Sequence, residues 1–198
     1  MYKDIVETSQ WSESHGANND FAGLGAIYYA LPYSLKADIC VCLGSGAGFV
    51  PKLMHYAQEV LIREEIINKI DVSLVDADIG IWGRPVYQNV IDGYEGIKIY
   101  KQLTDSAFEN FNNIAYLHVD ADHTYEQVYK DLCNYGSRMR KENWAITVHD
   151  TNNIPAKLGN LGIGCYQAAT QWAEENNYGF VNFTVGCGTA LIMPRAGI

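Results

Sequence analysis

Apolar runs of five or so residues, each stopped by glycines or by acids, recur along the chain and set its first outline. Ile39 to Leu43 ("ICVCL") is continuously apolar and ends at "GSGAG". A short run with no polar alternation predicts a strand buried on both faces. Phe49, Val50, Leu53, Met54, Ala57, Val60 and Leu61 then recur at helical spacing, with Pro51 tolerated in the first turn. The charged stretch "REEIINK" reads as an extension of that helix. "DVSLVDAD", "IKIYKQL", "IAYLHVDAD" and "WAITVHD" predict four further strands. Upstream, "GLGAIYYALPYSL" predicts a short helix reaching Pro32. Between the fourth and fifth strands, Thr124 and Gln127 predict a capping box, and Tyr125, Val128, Tyr129, Leu132 and Tyr135 give the helix it opens an apolar face. "YQAATQWAEEN" predicts a last helix, and "YGFVNFTV" and "GTALIMP" a closing hairpin around Gly186 and Gly188.

Strands alternating with helices imply an α/β, Rossmann-like, doubly wound and mostly parallel sheet, here with a C-terminal antiparallel hairpin. At 198 residues the chain is read as one such domain over residues 37–198. Residues 1–36 form an N-terminal arm and helix, a lid or the substrate side. In these sheets ligands bind beyond the carboxyl ends of the strands, and every polar cluster of interest falls at such an end.

A net charge of −9 excludes a partner that presents a nucleic-acid backbone, and leaves a small ligand held at a helix end allowed. The five cysteines are odd in number and form no C-x-x-C pair. Cys40 and Cys42, inside the first strand, read as reduced, buried thiols. "MYKDIVETSQ" has no apolar signal core, and no segment reaches the roughly 18 apolar residues a membrane span requires, so a cytoplasmic, membrane-free setting is expected.

"LGSGAGF" places glycines in a strand-to-helix loop, where the backbone can turn sharply and approach a ligand. Phe49 stands where the dinucleotide G-x-G-x-x-G pattern has its last glycine. Asp76 ends the second strand, where an acid accepts hydrogen bonds from ribose hydroxyls. Asp78 reads as a turn residue or helix cap. Asp105 and Ser106 follow the third strand, and both an adenine contact and a helix N-cap stay open for them. Asp120, Asp122 and His123 end the fourth strand, and His149 and Asp150 the fifth. In the arm, Trp11 and His15 either face a ligand or are packed and solvated respectively, the second being the plainer reading.

The succession "VCLGSGAGF", "LVDAD", "LTDSAF", "YLHVDADHTYEQVYKDL" and "ITVHDTN" resembles a class I S-adenosylmethionine-dependent methyltransferase. More narrowly, it is similar to the small-molecule O-methyltransferases with a D-x-D-H-x-Y signature after strand four and H-D after strand five. The resemblance implies that Gly44, Ser45, Gly46 and Gly48 wrap the methionine part of S-adenosylmethionine, that Asp76 holds the ribose, and that Asp105 with Ser106 meets the adenine end. It also implies a divalent cation, Mg²⁺ in related members, on Asp120, His149 and Asp150, with His123 as general base beside Asp120. The chemistry is coherent: carboxylate-held Mg²⁺ lowers the pKa of an acceptor hydroxyl, and an imidazole takes its proton near neutral pH.

Two positions depart from the family pattern. Cys42 stands where an acid usually precedes the glycines, and His149 where the metal-assisted members often have an acid. The expected activity is O-methylation of a small hydroxylated molecule, a sugar or a phenol. A nucleotide-sugar glycosyltransferase using D-x-D for a metal, and a non-catalytic domain that keeps the fold, are the alternatives. Completion of the acceptor site by a second subunit or by the N-terminal arm stays open.

Overall fold

A computed structural model describes residues 2–9, 12–44, 48–77, 94–152 and 161–195. Ser45, Gly46, Asp78 and Trp11 lie outside these, so the expectations placed on them have no structural counterpart. In chain order the elements are α1 (Tyr2–Glu7), α2 (Gly25–Ser34), β1 (Cys40–Leu43), α3 (Phe49–Arg63), β2 (Val72–Val75), β3 (Ile97–Tyr100), α4 (Thr104–Ala107), β4 (Tyr116–Val119), α5 (Tyr125–Gly136), β5 (Ala145–His149), α6 (Leu161–Glu175), β6 (Gly179–Phe183) and β7 (Thr189–Met193).

The strands form one seven-stranded sheet in the order β3-β2-β1-β4-β5-β7-β6. β1 to β5 run parallel, and β7 is antiparallel to both its neighbours. The order reverses between β1 and β4, which makes the crevice above these two strands the expected ligand position. The alternating Cβ directions of a strand divide the core. Val41, Leu43, Leu117, Val119, Ile146 and Val148 face α5 and α6. Cys40, Cys42, Tyr116 and Leu191 face the other way, toward α2 and α3. The predicted α/β, doubly wound sheet with its closing hairpin is therefore the observed fold.

Three local expectations need correction. α2 does not stop at Pro32 but runs to Ser34, because a proline near the end of the helix removes a single ladder bond while its ring is buried. "REEIINK" does not extend α3. Glu65 takes a left-handed backbone (φ 59°), and Ile66 N–H turns back to the Leu61 carbonyl at 2.9 Å, closing the helix at Arg63. The capping box is only half made. Thr124 Oγ1 accepts from Gln127 N–H, but the Gln127 side chain leaves the cap for Thr104, Asp105 and Asp131, and Thr124 N–H is taken by Asp122 Oδ1.

That excursion places Asp131 of α5 in a fully buried position. Gln127 Nε2 donates to its Oδ1 at 3.0 Å, while Oδ2 has no hydrogen-bond partner among the described residues. Burial pushes the carboxyl up to about 6, with hydrogen bonds from Thr104 and Gln127 pulling the other way. A raised folded-state value means stability is full below the ordinary carboxyl range and is lost as pH rises through about 6. Asp131→Asn keeps the Gln127 contact and cannot ionise. At pH 7 the variant is expected to gain roughly 2 kcal/mol, about 5 °C in melting temperature. Thermal unfolding of both proteins at pH 4.5 and 7.5 tests this: the gap must widen with pH, and parallel behaviour would refute the buried-charge argument.

Candidate active site

The chemistry gathers at the carboxyl ends of β1, β4 and β5. Because paired residues in a sheet point to the same side, the register sets a polar column on one face. His118 pairs with Thr147 of β5 and with Cys42 of β1, and His149 pairs with Thr189 of β7. One step beyond the β4–β5 pairs, Asp120 lies against His149, whose Nδ1 is 3.1 Å from Asp120 Oδ1. His123 reaches back from the turn after β4, with Nε2 3.1 Å from Asp150 Oδ2 and 3.5 Å from Asp120 Oδ1. His149 Nδ1 also lies 3.6 Å from Asp150 Oδ1. Asp150 is held in the left-handed region (φ 56°), a conformation that acidic residues tolerate and that recurs at functional strand ends.

Asp120 is the hub of this cluster. Burial alone would push its carboxyl up, but His149, His118 and His123 around it reverse that and hold it well below the usual carboxylate range. Burial likewise opposes charge on His149 and His123, and the carboxylates win: His149 is raised, and His123 is raised to about 9 by Asp120 and Asp150. His123 therefore carries a proton at neutral pH in this geometry. That differs from an imidazole of ordinary basicity, and the cause is the pair of acids flanking it.

Below Asp120, His118 Nδ1 shares the Thr147 hydroxyl with Tyr116, both at 2.8 Å, while His118 Nε2 stops 3.8 Å from Asp120 Oδ2. Burial lowers His118, so it packs as a neutral ring.

The arm enters this site directly. His15, at the end of a single 3₁₀ turn (Ser12–His15), is 3% exposed and not solvated, contrary to the plainer expectation. Its ring lies between Phe49 (centroids 5.1 Å apart) and His149 (3.9 Å), and Nδ1 meets the Tyr28 hydroxyl at 3.1 Å. Tyr28 in turn bonds Thr189 Oγ1 at 2.7 Å. Backbone bonds from Leu24 N–H to the His15 carbonyl (2.9 Å) and from Cys187 N–H to the Ser14 carbonyl (2.7 Å) hold the turn in place.

At the glycine loop after β1, Gly44 and Gly48 both have positive φ (69° and 87°). A Cβ on Gly44 would stand 2.2 Å from the Asp120 carbonyl oxygen, so the missing side chain makes room for the β4 backbone and not for a ligand. Cys42 is buried and its thiol donates to the Gly44 carbonyl at 2.9 Å. It braces the start of the loop. Asp76 follows β2 at the mouth of the same crevice, partly exposed, with its N–H on the Tyr100 carbonyl. Asp105 lies in the first turn of α4 and pairs with Lys130 (2.6 Å) and Gln127 (3.1 Å), and Ser106 Oγ donates to the Leu103 carbonyl.

Two groups of described residues bring one ligand atom each to within 4.8 Å of one another: His15, Asp120 and His149, and Asp120, His123 and Asp150. The expected trio Asp120, His149 and Asp150 is thus divided between two overlapping sets. Of the residues found here, His118, Thr147, Tyr28 and Thr189 went unread in the sequence. The signal for the first two was available in the period-two patterns "HVD" on β4 and "TVH" on β5.

No family model and no curated protein sequence matches the chain. Among the described residues, no helix is long and apolar enough to cross a membrane. Solved structures do match in shape. A putative O-methyltransferase from Klebsiella pneumoniae aligns with a TM-score of 0.69 at 14% identity, covering 98% of this chain and 90% of that one. A putative caffeoyl-CoA O-methyltransferase from Staphylococcus aureus gives 0.70 at 9% identity, covering 97% and 91%. TomG from Streptomyces achromogenes, an O-methyltransferase of tomaymycin synthesis solved with S-adenosylmethionine, gives 0.67 at 11% identity, covering 97% and 89%. The seven-stranded mixed sheet and its C-terminal hairpin are the fold these O-methyltransferases share with this chain.

Proposed function

We propose that the protein is an S-adenosylmethionine-dependent O-methyltransferase acting on a small hydroxylated acceptor. The observation that carries this reading is the joining of two half-sites at the switch point of the sheet. A glycine turn and Asp76 line one side, and Asp120, His123, His149 and Asp150 converge on the other, with Gly44 and Asp120 in backbone contact between them. Glycine-loop amides and Asp76 hold the cofactor, the acid taking the ribose hydroxyls. The acceptor hydroxyl lies toward Asp120 and His123.

A divalent cation held at Asp120, the residue both ligand groups share, would supply a lowered hydroxyl pKa. The residues' own contribution is positional. Asp120 orients two imidazoles at once, and His123 holds a proton at Nε2 between two carboxylates. To act as general base it must first lose that proton, a requirement the unperturbed side chain would not have.

Calorimetry with S-adenosylmethionine, S-adenosylhomocysteine and a nucleotide sugar tests the reading. Heat and a thermal shift are expected with the two sulfur nucleotides only. Asp76→Ala is expected to weaken S-adenosylhomocysteine binding about 10- to 100-fold, the worth of hydrogen bonds to a charged acceptor. No binding of either sulfur nucleotide would sink the proposal, and binding of the nucleotide sugar alone would favour glycosyl transfer.

A further inference from the structure

We propose that His15, carried in by the N-terminal arm, is a positioning residue for methyl transfer: packed against His149 at the deep end of the site, it fixes the Asp120 carboxylate through that ring. The proposal rests on the reading above for its catalytic meaning. The coupling of the three side chains depends on neither cofactor nor acceptor.

The contacts form a closed circuit. Thr189 of β7 is the cross-strand partner of His149 of β5, so the two side chains stand on the same side of the sheet. Thr189 Oγ1 meets the Tyr28 hydroxyl at 2.7 Å, and that hydroxyl meets His15 Nδ1 at 3.1 Å. The His15 ring then returns to His149, with centroids 3.9 Å apart, while Phe49 stacks on it at a tilt of 25°. Thr189, Tyr28, His15 and His149 are all buried. Stacking restrains the tilt of the His15 ring and the hydrogen bond its in-plane turn, so His149 packs on a surface that cannot swing aside.

What the circuit holds is Asp120. His149 Nδ1 donates to Asp120 Oδ1 at 3.1 Å, and the same oxygen lies 3.5 Å from His123 Nε2. A rotation of His149 therefore moves the oxygen placed beside the acceptor hydroxyl. Side chains at a reacting centre keep their geometry only when packing and outer hydrogen bonds lock their rotamers. A displacement of about 1 Å there costs on the order of 100-fold in rate.

Steady-state kinetics and nitrogen-15 NMR of the full-length protein test this. His15→Ala is expected to lower kcat about 10- to 100-fold, with acceptor KM and S-adenosylhomocysteine affinity held within about threefold. Tyr28→Phe should lower kcat about fivefold, and in the His15→Ala background it should add nothing. His15→Phe keeps the ring packing and loses the hydrogen bond, so it should match Tyr28→Phe and not His15→Ala. The His149 Nδ1–H resonance reads the coupling without turnover and is expected to shift or broaden in His15→Ala. Should that variant fail to fold, the same resonance must move in Tyr28→Phe. Parental kcat in folded His15→Ala, a loss confined to KM, additive losses in the double variant, or an unmoved resonance would each overturn the assignment. An inactive parent whose resonance still moves in His15→Ala removes the methyl-transfer reading and leaves the coupling. An active parent whose resonance stays fixed in folded His15→Ala removes the coupling alone.

Discussion

Replacing Gly44 with alanine is expected to cost roughly 3–5 kcal/mol of stability and about 10 °C of melting temperature. Two effects add. The position has φ of 69°, where an L side chain is strained. Its Cβ would also meet the Asp120 carbonyl oxygen at 2.2 Å and the Ala121 Cα at 2.7 Å. Both contacts are backbone, so no rotamer can swing clear. Neither strand can yield easily, because Gly44 N–H is bonded to the Val75 carbonyl and Asp120 N–H to the Leu43 carbonyl, both at 2.8 Å. The clash falls at the switch point of the sheet, and the variant should lose S-adenosylhomocysteine affinity along with stability. Thermal melting and calorimetry on one sample read both. A Gly44→Ala protein that melts with the parent would show that β1 and β4 do not approach this closely.

Asp120→Asn is expected to reduce methyl transfer roughly 1,000-fold, while S-adenosylhomocysteine affinity stays within about tenfold. The asparagine has the same shape and can still accept from His149 Nδ1, but it carries no charge to balance the His123 and His149 imidazoles within 4 Å of it. Breaking a buried charge pair by removing one partner should also cost about 3 kcal/mol in unfolding. Release of S-adenosylhomocysteine across a panel of catechols, phenols and sugars measures the first effect, and thermal unfolding the second. Parental turnover in Asp120→Asn would place this carboxylate outside the chemistry.

The fold was largely legible in the sequence because each core strand is an apolar run that a glycine or an acid ends. Ile39 to Leu43 and Tyr116 to Val119 needed no tertiary information. Element ends were harder. Glu65 stops α3 by a left-handed turn, and no glycine or proline marks that position. At the site, the residues on strand ends were legible because the topology of the sheet converges them. His15 was not: nothing between it and Leu24 in the sequence announces that a polar arm folds its histidine against Phe49 and His149. Gln127 misled for a related reason, since the cap three residues back lost to Asp131 one turn ahead and to Thr104 and Asp105, which only the fold brings near.

The link from His15 through Tyr28 to Thr189 joins residues 161 positions apart across the Tyr28–Thr189 bond alone. Its consequence is temporal. A growing polypeptide that has emitted β1 to β5 holds Asp120 and His149, yet lacks the strand that anchors Tyr28 and the Cys187 amide that anchors the His15 turn. Contacts of such separation in sequence form late, after the loop entropy has been overcome. The parallel half of the sheet should therefore gain amide-exchange protection first. The deep end of the site should mature last, in one event that docks the His15 turn and α2 against β7 and the turn before it.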